Sequence, residues 1–221
     1  MADSPVRDAI LKLRQSIPEG VRFLLVTKTV GEDRVREAFE AGVSDFGENR
    51  VQELLAKKKK LPPGIRWHMI GRLQTNKVKR ILGEVVLIHS LDRPELAREI
   101  EKQAGVKKIK QVDCLIQVNS SGETSKSGFA PAEVEGFAAS LAPDSPVRIR
   151  GLMAVGPLTE DCEKIRRAFR AVKNLRETLK QKFPERDWGI LSMGMSGDYR
   201  IAVEEGANWL RIGSAVFGKR L

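Results

Sequence analysis

Cysteine is nearly missing from this chain: Cys114 and Cys162 stand alone in 221 residues and match neither a disulfide framework nor a metal-ligand spacing. Both are expected to be reduced packing residues. Aromatic residues make up 5% of the sequence and never alternate with lysine, which argues against a stacking platform for single-stranded nucleic acid. No apolar run approaches the length of a membrane-spanning helix, and the opening stretch from Met1 to Asp8 lacks the apolar core of a signal peptide. A soluble, cytoplasmic protein is therefore expected. No linker rich in Gly and Ser or in Pro interrupts the chain, and low complexity is confined to Lys57 to Lys60, so one domain over residues 1–221 is expected.

Positive charge is abundant, with a net charge of +10, and clustered Lys and Arg would gain from releasing counterions on binding phosphate backbones. The cations are instead spread out. Lys57 to Lys60 fall where a helix beginning near Asn49 should end, where they complement the helix dipole, and Lys107, Lys108 and Lys110 fall in a loop before the next strand. This pattern predicts a solvated basic surface and makes nucleic acid an unlikely partner.

Apolar, strand-like segments recur with helical stretches between them: 22–28, 44–48, 66–71, 85–90, 113–119, 149–155, 187–193 and 209–213. Helical periodicity marks 32–41, ending before Gly42, 93–104, ending before Gly105, and the long 161–182, with Phe169, Val172, Leu175 and Leu179 on one face. Eight strands alternating with helices predict an α/β fold of the (β/α)8 TIM-barrel type, with an extra N-terminal helix carrying Val6, Ile10, Leu11 and Leu13. An open doubly wound sheet loses support, because no Gly-x-Gly-x-x-Gly turn follows the first strand.

Lys28 closes the run from Arg22 and so stands at the carboxyl end of the first strand, the face on which such barrels bind ligands. An amine there can form an imine with an aldehyde or ketone, although most strand-end lysines only snorkel to the rim. After the seventh strand comes Ser192-Met-Gly-Met-Ser-Gly-Asp198, in which Ser196 and Gly197 would open a helix over 198–205. After the eighth comes Arg211-Ile-Gly-Ser214, where Gly213 lets the backbone approach closely and Ser214 offers a hydroxyl and an amide. Two such loops at these strands can clamp one phosphate. A ligand with both a phosphate and a carbonyl follows: pyridoxal 5'-phosphate fits, and so does a phosphorylated sugar.

The motifs Val26-Thr-Lys28, Phe46-Gly-Glu-Asn-Arg-Val-Gln-Glu53, Trp67-His-Met-Ile-Gly-Arg-Leu-Gln-Thr-Asn-Lys77, Gln117-Val-Asn-Ser-Ser-Gly-Glu-Thr-Ser-Lys-Ser-Gly128, Gly151-Leu-Met153, Ser192 to Asp198 and Arg211-Ile-Gly-Ser-Ala-Val-Phe-Gly218 together resemble the pyridoxal phosphate homeostasis protein family. That family comprises single-domain relatives of the alanine racemase N-terminal barrel, and the resemblance runs over nearly the whole chain in order. It implies a Schiff base of pyridoxal 5'-phosphate on Lys28, phosphate held by Ser196, Gly197, Gly213 and Ser214, Arg211 facing the pyridine nitrogen, and Asn49 beside the ring. It also implies a carrier that buffers the cofactor, passing it to recipient apo-enzymes, without strong catalysis of its own. A guanidinium can only donate to the ring nitrogen, so it disfavours the pyridinium form and weakens the cofactor as an electron sink.

The alternative is an amino-acid racemase, which needs a second base on the far face of the cofactor. In full-length racemases a second domain supplies a tyrosine, whereas the sole tyrosine here, Tyr199, follows the phosphate loop and is poorly placed to reach that face. A Schiff-base aldolase would want an acid/base partner for Lys28 that the sequence does not identify. His68 and His89 are expected to be hydrogen-bonded barrel residues, and the roles of Arg72, Asn76, Lys77 and Lys126 are left open. Without the racemase's second domain, a monomer is expected.

Overall fold

The structure, a computed structural model, describes residues 4–120, 122–123 and 126–218. Eight parallel strands, β1 (Arg22–Val26), β2 (Asp45–Glu48), β3 (Arg66–Met69), β4 (Leu87–Leu91), β5 (Val112–Val118), β6 (Val147–Ala154), β7 (Ile190–Ser192) and β8 (Trp209–Ile212), pair in chain order and close by β1 on β8. The (β/α)8 barrel expected from the sequence is the fold observed. Its helices are α1 (Pro5–Ser16), α2 (Glu32–Glu40), α3 (Val51–Lys60), α4 (Val78–Ile81), α5 (Pro94–Lys107), α6 (Pro131–Ser140), α7 (Cys162–Lys182), α8 (Tyr199–Glu204) and α9 (Ser214–Phe217). None of the described helices is long and apolar enough to cross a membrane.

Side chains alternate across each strand, and that alternation separates two layers. Leu25, Phe46, Trp67, Ile88, Ile116, Leu152, Leu191 and Leu210 face outward and merge with helix residues such as Val35, Leu54, Ile100 and Phe169 into the main core. The opposite parity fills the barrel with two small clusters, Leu24 with Val26 and Trp209, and Leu87 with Leu115 and Met153. The N-terminal helix forms as expected: Ser4 accepts a hydrogen bond from the Arg7 N–H, Pro5 sits at the first position, and Val6, Ile10 and Leu13 are buried. Asp161 caps α7 by accepting from the amides of Glu163 and Lys164.

Several boundaries depart from expectation. Strand β1 ends at Val26 rather than Lys28, where the chain turns toward the barrel mouth, and β7 is only Ile190–Ser192, the three residues that pair with β6. Helix α5 passes through Gly105 and stops at Lys108, which takes the left-handed conformation at φ 56. A single glycine costs a helix only about 1 kcal/mol, and the helix closes instead on Lys108, whose N–H donates to the Ala104 and Gly105 carbonyls. Lys107 is therefore helical, donating to the Leu82 carbonyl at 2.8 Å, rather than part of a loop. Cys114 is buried as expected, but Cys162 is exposed rather than a packing residue, being the first residue of α7.

Two glycines give opposite expectations. At Gly151, φ is +140 and an added Cβ would lie 1.8 Å from the Ile190 carbonyl oxygen, inside the β6–β7 pairing. Gly151→Ala is expected to destabilise the protein by about 3 kcal/mol or more in urea denaturation, from strained backbone and overlap together. At Gly105 an added Cβ meets nothing within 4 Å, so Gly105→Ala is expected to stabilise by about 0.5–1 kcal/mol. Equal effects at the two sites would contradict this account.

Candidate functional site

Lys28 lies two residues beyond β1 and continues the interior parity of Leu24 and Val26, so it rises over the barrel mouth. Ladder register brings its neighbours: Val26 pairs with Gly47, which carries Asn49 alongside, and Leu25 pairs with Ile212, which carries Gly213 and Ser214 alongside. The ammonium of Lys28 has no hydrogen bond or ion pair with the described residues, and its side chain is half-buried.

The backbone around it is held tightly. Thr27 donates its N–H to the Gly47 carbonyl at 3.0 Å and its hydroxyl to Glu48 Oε1 at 2.6 Å. Lys57 Nζ donates to the Thr27 carbonyl at 2.6 Å, to Glu48 Oε1 at 2.7 Å and to Glu53 Oε1 at 2.8 Å. Glu53 Oε1 also accepts the Thr29 N–H at 2.7 Å, fixing Thr29 in the left-handed region at φ 62. Lys57 is thus a buried member of this clamp, not a solvated helix-end cation as expected. Helix α3 turns it inward because Leu54 and Lys57 share a buried face. Burial raises the Glu48 carboxyl above its ordinary value, against the hydrogen bonds from Lys57 and Thr27, and its Oε2 has no partner among the described residues.

Beyond the adjoining strand β8, Ser196 Oγ accepts the N–H groups of Gly213 at 3.2 Å and Ala215 at 3.1 Å. Two backbone donors therefore converge on one oxygen, the geometry an anion uses at the start of a helix. Contrary to the expectation from sequence, Ser196 and Gly197 do not open the following helix: Asp198 stands at the N-cap position of α8, and its Oδ1 accepts the Met195 N–H at 2.6 Å, closing the loop locally. Gly197 is exposed with open space around an added Cβ, and Ser214 is exposed as the first residue of α9.

Arg211 is buried in the barrel interior. Its Nη1 donates to the Ser192 carbonyl at 2.6 Å and to Ser192 Oγ at 2.9 Å, and its Nη2 donates to the Ala154 carbonyl at 2.7 Å. All three acceptors are neutral, so it is no rim ion pair, and burial lowers its pKa to about 10 against the pull of Asp198. Asn49 is half-buried and does not cap α3, whose N-cap is Arg50. An added Cβ at Gly71 would lie 2.5 Å from the Asn49 carbonyl oxygen, so that glycine admits Asn49 to its place. Tyr199 turns away, its hydroxyl 3.0 Å from Ser16 of α1.

Arg72, Asn76 and Lys77 line a cleft beside Asn49 and Met69, with Arg72 paired to Asp92 at 3.2 Å. Lys126 donates to Glu123 at 2.7 Å and to the Gly156 carbonyl at 3.1 Å; Ser121, Thr124 and Ser125 of the same motif lie outside the described residues. Sequence reasoning missed Glu48, Glu53, Lys57 and Ser192. The spacing of Glu53 and Lys57, four residues apart on one helix, was the signal for part of the clamp.

These features define the class: a barrel whose mouth gathers a lysine without a bonding partner among the described residues and two backbone amides directed at Ser196 Oγ, and the family model for the alanine racemase N-terminal domain matches residues 5–220. More closely, the chain belongs to the pyridoxal phosphate homeostasis protein family. It is 44% identical over 204 residues to the pyridoxal phosphate homeostasis protein of Aquifex aeolicus, covering 90% of this chain and 87% of that one, and 39% identical over 208 residues to that of Vibrio alginolyticus, covering 92% and 88%. Among solved structures, PipY of Synechococcus elongatus PCC7942 superposes with a TM-score of 0.91 without PLP, at 34% identity over 96% of this chain and 100% of that one. The same protein with PLP bound superposes at 0.88, at 33% identity and the same coverage. Alanine racemase of Clostridium difficile 630 shares the fold at 15% identity and a TM-score of 0.78, this chain covering 56% of it.

The clamp generates a pH-dependent expectation. Lys57→Met leaves Glu48 as an unpaired buried carboxylate and is expected to lower stability by about 3–5 kcal/mol at neutral pH. The sign follows from the raised Glu48 carboxyl: the folded state binds its proton more tightly than the unfolded chain, so the deficit shrinks as pH falls through the folded-state value and is full above it. Chemical denaturation of both proteins across pH 4 to 8, roughly the range that brackets a raised carboxyl, checks this; a deficit that is constant with pH would refute it.

Proposed function

We propose that this chain binds pyridoxal 5'-phosphate as a Schiff base on Lys28 and holds it as an intracellular buffer for apo-enzymes that need it, as a single-domain monomer without strong catalysis of its own. The observation that carries this reading is the meeting, over one barrel mouth, of an unpartnered Lys28 ammonium with two amides aimed at Ser196 Oγ. An aldehyde and a phosphate in one molecule answer those two features. The names of the relatives and the PLP-bound PipY structure support the same ligand.

In this reading Ser196, Gly197, Gly213 and Ser214 hold the phosphate, Arg211 donates to the ring nitrogen and Asn49 lies beside the ring. When bound, the cofactor supplies a carbonyl for amines and an electron sink for carbanions. A guanidinium has no acceptor, and Arg211 is fixed by three neutral oxygens, so it cannot stabilise a protonated ring nitrogen as a carboxylate would. Racemisation also needs a base on the far side from Lys28, and the hydroxyl of Tyr199 is bonded to Ser16 outside the mouth. Holding fits this environment better than turnover.

Lys28→Ala is expected to abolish the visible absorbance band of the loaded protein and the borohydride-trapped adduct, while the fold persists because the side chain makes no bond within the described residues. Peptide mapping after reduction is decisive, and an adduct on Lys57, Lys77 or Lys126 would overturn the assignment.

The phosphate cup is tested separately. Ser196→Ala combined with Ser214→Ala is expected to weaken pyridoxal phosphate binding by about 1.5–3 kcal/mol per lost charge-assisted hydrogen bond, with little effect on pyridoxal. Isothermal titration with both ligands measures the difference. Equal losses would mean that neither serine touches phosphate.

A further inference from the structure

Beneath Arg211 a file of polar side chains descends the barrel interior to its floor. Ser192 Oγ, which accepts from Arg211 Nη1 at 2.9 Å, lies 3.1 Å from His89 Nδ1. His89 Nε2 lies 3.1 Å from His68 Nδ1, and His68 Nε2 lies 2.9 Å from Asp45 Oδ1. Ser192, His89 and His68 are buried. Trp209 packs edge-on against both rings, at 5.4 and 6.1 Å between centroids. At the floor, Arg66 donates to both oxygens of Asp45, and Arg22 Nη2 lies 3.4 Å from Oδ2.

The two ends determine every proton between them. Burial alone would raise the Asp45 carboxyl, but hydrogen bonds from His68 and Arg66 outweigh it and hold the group well below the usual carboxylate range. Asp45 is therefore an acceptor only. Burial lowers the pKa of both imidazoles, most strongly that of His89, which also faces His68 and Arg211, so each ring is neutral, with one donor and one acceptor. His68 must then carry its proton on Nε2, facing Asp45, and accept on Nδ1 from the Nε2–H of His89. His89 in turn accepts on Nδ1 from the Ser192 hydroxyl, whose oxygen accepts from Arg211. Every hydrogen bond points from the guanidinium to the carboxylate, and a chain aligned in one direction strengthens each of its links.

We propose that Ser192, His89 and His68 are positioning residues that hold Arg211 at the mouth through this one-directional file ending on Asp45, and that the floor carboxylate thereby sets how strongly Arg211 donates to a ring nitrogen bound above it. Only the last clause rests on the cofactor reading. Asp198 acts on Arg211 through space and lies outside the file.

The chain has two histidines, so ring-nitrogen NMR reads the file directly on cofactor-free protein labelled with 15N in the imidazoles. Both rings are expected to show a protonated Nε2 and a bare Nδ1 at neutral pH. A proton on Nδ1 of either ring, or a doubly protonated ring, would overturn the proposal. Ser192→Ala retains the bond from Arg211 to the carbonyl of residue 192 and the bond to Ala154, but removes the link to His89. The His89 nitrogens are expected to move toward the average of two exchanging tautomers, and unchanged shifts would count against the file. In loaded protein, Ser192→Ala and Asp45→Asn are each expected to move the pH midpoint of the visible band by about one unit, a tenfold change in the proton equilibrium. Midpoints coinciding with wild type would remove the coupling. If Asp45→Asn does not fold, Ser192→Ala decides alone, and a wild-type protein with no visible band would sink the cofactor reading while the ring spectra still judge the file.

Discussion

Closing eight parallel strands into a barrel gives every second side chain an interior address from which water is excluded, and the rest of this molecule follows from what occupies those addresses. Two clusters, around Leu24, Val26 and Trp209 and around Leu87, Leu115 and Met153, fill part of the space with apolar volume. The remainder belongs to Asp45, His68, His89, Ser192 and Arg211. A buried charge without partners is expensive, so a guanidinium and a carboxylate can occupy one barrel only if the groups between them satisfy both. The neutral imidazoles and the hydroxyl do this by lining up donor to acceptor. The same parity, carried past the strand ends, brings Lys28, Asn49 and Gly213 to the mouth.

How much of this could be read from the residues depends on whether the cause was local. The strands were legible because their apolar runs are long enough to be covered, and eight of them alternating with helices, without a Gly-x-Gly-x-x-Gly turn after the first, favoured a barrel over an open doubly wound sheet. Lys28 was legible because the end of the first strand places it without knowledge of distant contacts, whereas Arg211 entered only through the family resemblance. Lys57 was not. Its three partners come from its own helix, the end of β2 and the turn after β1, and nothing in a four-lysine run distinguishes the one that turns inward. Ser196 was misplaced for a related reason: Ser and Asp are both good helix caps, so local preference cannot decide between Ser196 and Asp198, and the decision came from amides on the neighbouring loop. Gly105 was read as a stop by the same local logic, whereas the helix closes on Lys108.

Around the mouth, satisfaction is uneven in an informative way. Even Lys57, a flexible side chain on a basic helix end, is held by three acceptors within 2.8 Å. The turn bearing Lys28 is fixed through Thr27 and Thr29 on either side, yet the Lys28 ammonium itself has no protein partner among the described residues. Such an arrangement lowers the entropy lost when the amine is captured, because the backbone is already ordered, and it leaves no ion pair to break.

That division of labour bears on why a racemase-like barrel can hold a reactive cofactor quietly. In the proposed function a rigid lysine and an anion cup supply retention, whereas accelerating proton abstraction would require further groups whose interactions strengthen only as charge develops. The interior of this barrel supplies the opposite. Arg211 is locked by neutral acceptors and tied through an aligned file to a carboxylate at the far end, so its charge is committed toward the floor before any ligand arrives. Under the proposed function, a donor fixed in this manner suits a neutral ring nitrogen better than a protonated one, which accords with retention more than with turnover.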